Sequence, residues 1–83
     1  MCIIEEIKNE LELTHGDQIA TAFEQDINQI KHTTPNLLPM LQQINNPTHL
    51  ASLYITSLQQ AGMMSFILRL KDEQTTGLYY RGF

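Results

Sequence analysis

Apolar residues recur every three or four positions along almost all of this chain, a period that selects helices over strands. Ile3, Ile4, Ile7 and Leu11 form one stripe and predict a first helix over about residues 2–13. Thr14-His15-Gly16 interrupts it. Gly16 fits the left-handed position past a helix end, and Asp17 fits the cap of the next helix. Ile19, Phe23, Ile27 and Ile30 share one face of a second helix, with Ala20 and Ala22 beside them. Lys31-His32 suits its C-terminus, where cations meet the negative end of the helix dipole.

Thr33-Thr34-Pro35 reads as a start signal, with Thr34 as N-cap and Pro35 as first helical residue. Leu37, Leu38, Leu41 and Ile44 supply the buried face of a short third helix, and Pro39 falls in its first turn. Asn45-Asn46-Pro47 repeats the same cap-and-proline order ahead of Leu50, Leu53, Tyr54, Ile55 and Leu58. The pattern continues past Ala61-Gly62 into Met64, Ile67, Leu68 and Leu70. Glycine inside a helix costs about 1 kcal/mol against alanine, so a break at Gly62 is expected. The expected fold is all-α: a compact bundle of four to five short helices over residues 1–76, then a C-terminal aromatic tail over 77–83. In that tail Gly77 and Gly82 frame Leu78 to Arg81, strand-like residues without helical period. Such a segment fits a frayed extended end, a strand added to a partner, or a flap on the helices.

With 83 residues the chain has room for one domain, near the lower limit of what an unstapled core supports. Its single cysteine, Cys2, permits no internal disulfide and no cysteine zinc site, and suits a reducing compartment. The apolar start Met1 to Ile4 breaks into Glu5-Glu6, unlike a signal peptide. Met63 to Leu70 is the most apolar run, but Arg69 interrupts it far short of the roughly 20 residues a span needs. The expectation is a cytoplasmic protein with no membrane contact. A net charge of −4 and pI near 5.1 argue against nucleic acid, because acidic surfaces repel phosphates.

Catalysis needs a constellation, and none emerges. His15, His32 and His49 are evenly spaced, but each falls in a turn or at a helix end, and solvent-facing histidines are the expectation. Neighbouring carboxylates at Glu5-Glu6 and near Glu24 and Asp26 read as a solvated surface, since acid–base work needs two carboxyls held in a cleft with separated pKa values. Cys2 lies too close to the terminus to be held as a nucleophile. The glycines are isolated, so no phosphate loop forms. Neither an enzyme nor a cofactor is expected.

The charge pattern points toward contacts between chains. Residues 1–26 carry Glu5, Glu6, Glu10, Glu12, Asp17, Glu24 and Asp26 against Lys8. The remainder carries Lys31, Arg69, Lys71 and Arg81 against Asp72 and Glu73. Copies with one acidic and one basic end attract head to tail; a merely solvated acidic helix is the plainer alternative. Met63-Met64 beside Phe66 fits either a core or an adaptable binding groove. Tyr79, Tyr80 and Phe83 fit either an interface, where aromatics concentrate, or a cover for a small core. The candidate interface residues are therefore Glu5, Glu6, Glu10, Asp17, Glu24, Asp26, Lys31, Arg69, Lys71, Tyr79, Tyr80, Arg81 and Phe83.

Residues 34–71 carry a resemblance. Thr34-Pro35-Asn36-Leu37-Leu38 opens a short capped helix; Asn45-Asn46-Pro47 turns; Leu50-x-x-Leu53 runs to Leu58-Gln59-Gln60-Ala61-Gly62; Phe66-Ile67-Leu68-x-Leu70 closes. This order resembles the later helices of the death-fold superfamily, its caspase-recruitment branch, and the small bacterial death-like and effector-associated domains. It covers under half the chain, with motifs shared by many helical bundles. Two departures stand out: little chain precedes Thr34, so the leading helices should be shortened or one absent, and the aromatic tail is foreign to the pattern. The resemblance implies an adaptor that clusters protein chains, itself or a partner, in signalling or defence, as a homo-oligomer. The alternatives are a small inhibitor (a phage anti-defence protein, antitoxin or immunity protein) and a secretion-system subunit or chaperone. The last requires one long hairpin unbroken at Gly62.

Overall fold

The computed structural model describes residues 2–76, and within them the chain is all-α. Five helices follow one another: α1 (Ile3–His15), α2 (Asp17–Ile30), α3 (Leu37–Ile44), α4 (Pro47–Leu58) and α5 (Met63–Thr76). The expected tail over 77–83 lies outside the described residues. α1 and α2 are 13 and 14 residues long.

The connections are short because single residues end one helix and open the next. Gly16, with φ 94° and ψ 172°, donates its N–H to Glu12 O and accepts from Ala20 N–H. It ends α1 and begins α2, and Asp17 is the first helical residue of α2, not its expected cap. Asn45 ends α3 in the left-handed conformation (φ 49°, ψ 42°), which its short polar side chain tolerates. Asn46 then caps α4, its Oδ1 accepting from His49 N–H at 3.0 Å, with Pro47 in the first turn as expected.

The Thr33-Thr34-Pro35 segment does something other than expected. The N–H groups of Thr33 and Thr34 and the Thr33 hydroxyl all donate to Ile30 O. These residues close α2; Leu37 N–H then bonds Thr34 O across a turn that holds Pro35. α3 therefore starts at Leu37 with Asn36 at the cap. Pro39 is its third residue, where no intrahelical donor is required, so it causes no distortion.

α4 and α5 break where expected. Gly62 has φ 63°, and Ser57 O gathers the N–H groups of Gln60, Ala61 and Gly62. The Ser57 hydroxyl, itself buried, donates to Leu53 O at 2.7 Å. The unbroken hairpin required of a needle-like secretion subunit is absent.

α1 packs against α2, α3 and α4, and α5 packs against α3 and α4. The core draws Ile3, Ile7 and Leu11 from α1, Ala20, Phe23 and Ile27 from α2, and Leu37, Met40, Leu41 and Ile44 from α3. α4 adds Leu50, Ala51 and Tyr54, and α5 adds Phe66, Ile67 and Leu70. The ring of Tyr54 lies edge-to-face with Phe23 at 4.9 Å and with Phe66 at 5.7 Å, joining α2, α4 and α5 at the centre. Four leucines and methionines expected inside are outside: Leu38, Leu58, Met64 and Leu68. Met40 replaces Leu38, because helical rotation puts residues 37, 40, 41 and 44 on one face.

Candidate interaction surfaces

Several charged residues expected at an interface have partners within the chain. The Tyr54 hydroxyl donates to Asp26 Oδ2 at 2.7 Å. Burial first, then that hydrogen bond and the Asp26 charge, hold the Tyr54 phenol well above the usual tyrosine range. Lys8 Nζ donates to Glu24 Oε2 at 3.1 Å, tying α1 to α2. That hydrogen bond, with the charge of Glu24, raises the Lys8 ammonium above its ordinary value. Arg69 is half-buried; its Nη2 donates to Gln60 Oε1 at 2.7 Å, bracing the turn before α5. Asp26, Glu24 and Arg69 thus work inside the fold.

His49 departs from the expectation of a solvent-facing turn histidine. Its Nε2 lies 2.9 and 3.0 Å from the two oxygens of Glu73, which is 9% exposed. The pair joins the start of α4 to the end of α5, and the neighbouring amides of Gln43 and Gln74 join α3 to α5. His15, at the exposed end of α1, has Nδ1 2.7 Å from Thr14 Oγ1, and His32 is exposed in the α2–α3 turn.

The outward charges that remain are distributed unevenly. Glu5 and Glu12 are exposed on α1, and Glu6 and Glu10 are half-buried at its flanks. Asp17 is exposed in the first turn of α2, where a carboxylate favours the helix dipole, and Lys31 is exposed at its end. Lys71 is exposed on α5. Tyr79, Tyr80, Arg81 and Phe83 lie outside the described residues.

The most exposed apolar groups among the described residues lie on α5 and α1. On α5 the buried row Phe66, Ile67, Leu70 and Glu73 leaves Met64, Leu68, Lys71, Asp72 and Thr75 facing out. Met64 is 72% exposed and Leu68, one turn later, 62%. The Met63-Met64 pair divides: Met63 packs against the core and Met64 does not. On α1 the buried row Ile3, Ile7 and Leu11 leaves Glu5, Asn9, Glu12 and Leu13 outward, with Leu13 84% exposed. Sequence reading overlooked Leu13. Its signal was there, since it stands two residues past Leu11 and off the stripe.

Among the described residues, two shallow grooves lie between helices. One, about 340 Å³, runs between α3 and α5 and is lined by Asn36, Pro39, Met40, Gln43, Lys71 and Gln74. The other, about 230 Å³, lies between α1 and α4, where Glu10, Thr14, His15, Thr48, Ser52 and Thr56 supply polar walls. Among the described residues no group of three His, Cys, Asp or Glu side chains is placed to hold a metal ion, and no helix is long and apolar enough to cross a membrane. The chain matches no protein-family model, no curated protein and no solved structure.

Proposed function

We propose that this chain is a non-catalytic interaction domain that assembles protein chains, its own or a partner's, as an adaptor in signalling or defence. The outer face of α5 carries this reading. Met64 and Leu68 stand one turn apart in water beside Lys71, on a helix whose other face is fully engaged in the core. A side-by-side pair of large apolar residues in water is the kind of surface that a protein contact covers, and methionine adapts its shape to varied partners. The resemblance of residues 34–71 to the death-fold superfamily, read from the sequence, implies the same role.

The test is mass by light scattering on a sizing column, across concentration, at low and high salt. Assemblies larger than one chain support the adaptor. A single chain at every concentration and salt removes self-assembly and favours the second reading, a small inhibitor that presents the acidic outer face of α1 to one basic target. That reading rests on the exposed Glu5 and Glu12, which share the outer face of α1 with the exposed Leu13.

A further inference from the structure

The three methionines among the described residues meet three different surroundings. Met40 is 4% exposed in the core, Met63 is partly buried against that core, and Met64 is 72% exposed on the outer face of α5. A thioether sulfur is soft and polarisable, and a dissolved oxidant reaches it only where water does. The fold therefore presents one of these sulfurs to solvent, shields the second in part and withholds the third.

We propose that Met64 is a modification site, at which a peroxide oxidises the thioether to the sulfoxide while the fold persists. The sulfur lone pair attacks one oxygen of hydrogen peroxide. The O–O bond breaks, an S–O bond forms, and the other oxygen leaves as water after proton transfer. Sulfur gives up two electrons and the peroxide takes them. A thiol-dependent sulfoxide reductase reverses the step: a dithiol supplies two electrons and becomes a disulfide, and the sulfoxide oxygen leaves as water.

Position decides what the new oxygen does. At Met64 it enters water, because the inward row of α5 is Phe66, Ile67, Leu70 and Glu73. At Met40 it would enter the apolar core beside Leu37, Leu41 and Ile44, where a polar group is costly. Oxidation at Met64 thus converts the outer face of α5 from an apolar pair to one apolar residue, Leu68, next to a polar acceptor. Where that face makes the contact proposed above, the oxidised chain binds more weakly. This consequence rests on the assembly reading; the site itself does not.

The experiment treats the full chain, dilute, with hydrogen peroxide and then cleaves it with trypsin. Cleavage after Lys31 and Arg69 leaves Met40, Met63 and Met64 in one peptide, residues 32–69, so fragment masses compare them directly. Met1, and Cys2 with its exposed thiol, fall in residues 1–8 and are scored apart. In the folded chain Met64 is expected to convert roughly ten times faster than Met40, in keeping with exposures of 72% and 4%, with Met63 between them. Helicity by circular dichroism should stay unchanged at full conversion of Met64, and in denaturant the three rates should converge. Equal rates for Met40 and Met64 in the folded chain overturn the proposal, as does Met63 outpacing Met64. So does helix signal lost in step with Met64 oxidation and kept by Met64→Leu at the same dose. The mass of the untreated chain tests the assembly reading separately.

Discussion

Tyr54 occupies the point where α2, α4 and α5 meet, with its ring between Phe23 and Phe66 and its hydroxyl on Asp26. Tyr54→Phe keeps both ring contacts and removes the donor. Because Asp26 is only half-buried and water replaces the lost partner, the loss is expected to be about 1–2 kcal/mol. The same residue shapes the response to alkali. An unfolded tyrosine ionises near pH 10, whereas the folded phenol stays protonated above that. Its contribution is thus complete below about pH 10 and is lost as pH rises further, since the unfolded chain then binds fewer protons. Lys8, raised from 10.5 by Glu24, acts with the same sign. The unfolding midpoint should be level through neutral pH and fall above about pH 10. In Tyr54→Phe it should start lower and fall less steeply; an equally steep fall would contradict this account. Phe23, fully buried against Tyr54, is the other residue to test. Phe23→Ala should cost about 3–5 kcal/mol, close to the whole stability of so small a domain, and chemical denaturation would register it as a folded fraction already reduced in water.

At the scale of elements, two glycines end helices in different ways. Gly62 has φ 63°, a left-handed conformation that asparagine tolerates. Gly16, at φ 94° and ψ 172°, lies in a region essentially confined to glycine. A Cβ at either position meets nothing within 4 Å, so any penalty is backbone strain and not a clash. Gly62→Asn is therefore expected to be nearly neutral, and Gly16→Asn to lower stability by about 1–3 kcal/mol. Thermal melts of the two variants side by side decide it, and equal shifts would show that the two turns make the same demand. The α3–α4 junction was legible in advance, because Asn46-Pro47 combines a capping side chain with a residue that needs no donor. The α2–α3 junction was not. Thr33 and Thr34 serve the end of the earlier helix, and a threonine beside proline reads alike whether it closes one helix or opens the next.

Over the whole molecule, the split between an acidic first third and a mildly basic remainder does not translate directly into two charged ends. Glu24 is paired with Lys8, Asp26 receives Tyr54, Glu73 meets His49 and Arg69 braces the turn before α5. Glu5 and Glu12 on α1, Asp17 and Lys31 at the two ends of α2, and Lys71 and Asp72 on α5 are the charges left exposed among the described residues of these helices. Reversal of Lys71 to Glu should leave helicity unchanged and weaken any assembly, with less dependence on salt. Reversal of Arg69 to Glu should lower the melting temperature, because it breaks contacts to Gln60 and Ser65. Assembly that ignores Lys71→Glu would show that Lys71 takes no part in it.

The sequence by itself determined the all-α class and three of the four junctions, and narrowed the helix count to four or five, because period, proline and positive-φ glycine act over a few residues of chain. It also identified Phe23 as an inward residue, since its stripe is unambiguous; on α4, where Leu53, Tyr54 and Ile55 are adjacent, Tyr54 is the one fully buried and Leu53 only partly so. Only the tertiary structure decided which of two adjacent apolar residues faces in: Met63 or Met64, Leu37 or Leu38. That choice depends on the rotation of each helix against its neighbours, which local spacing leaves open by one residue. The same holds for the pairs that retire charges from the surface. Tyr54 and Asp26 are 28 residues apart and His49 and Glu73 are 24 apart, so they meet only after α2, α4 and α5 have packed.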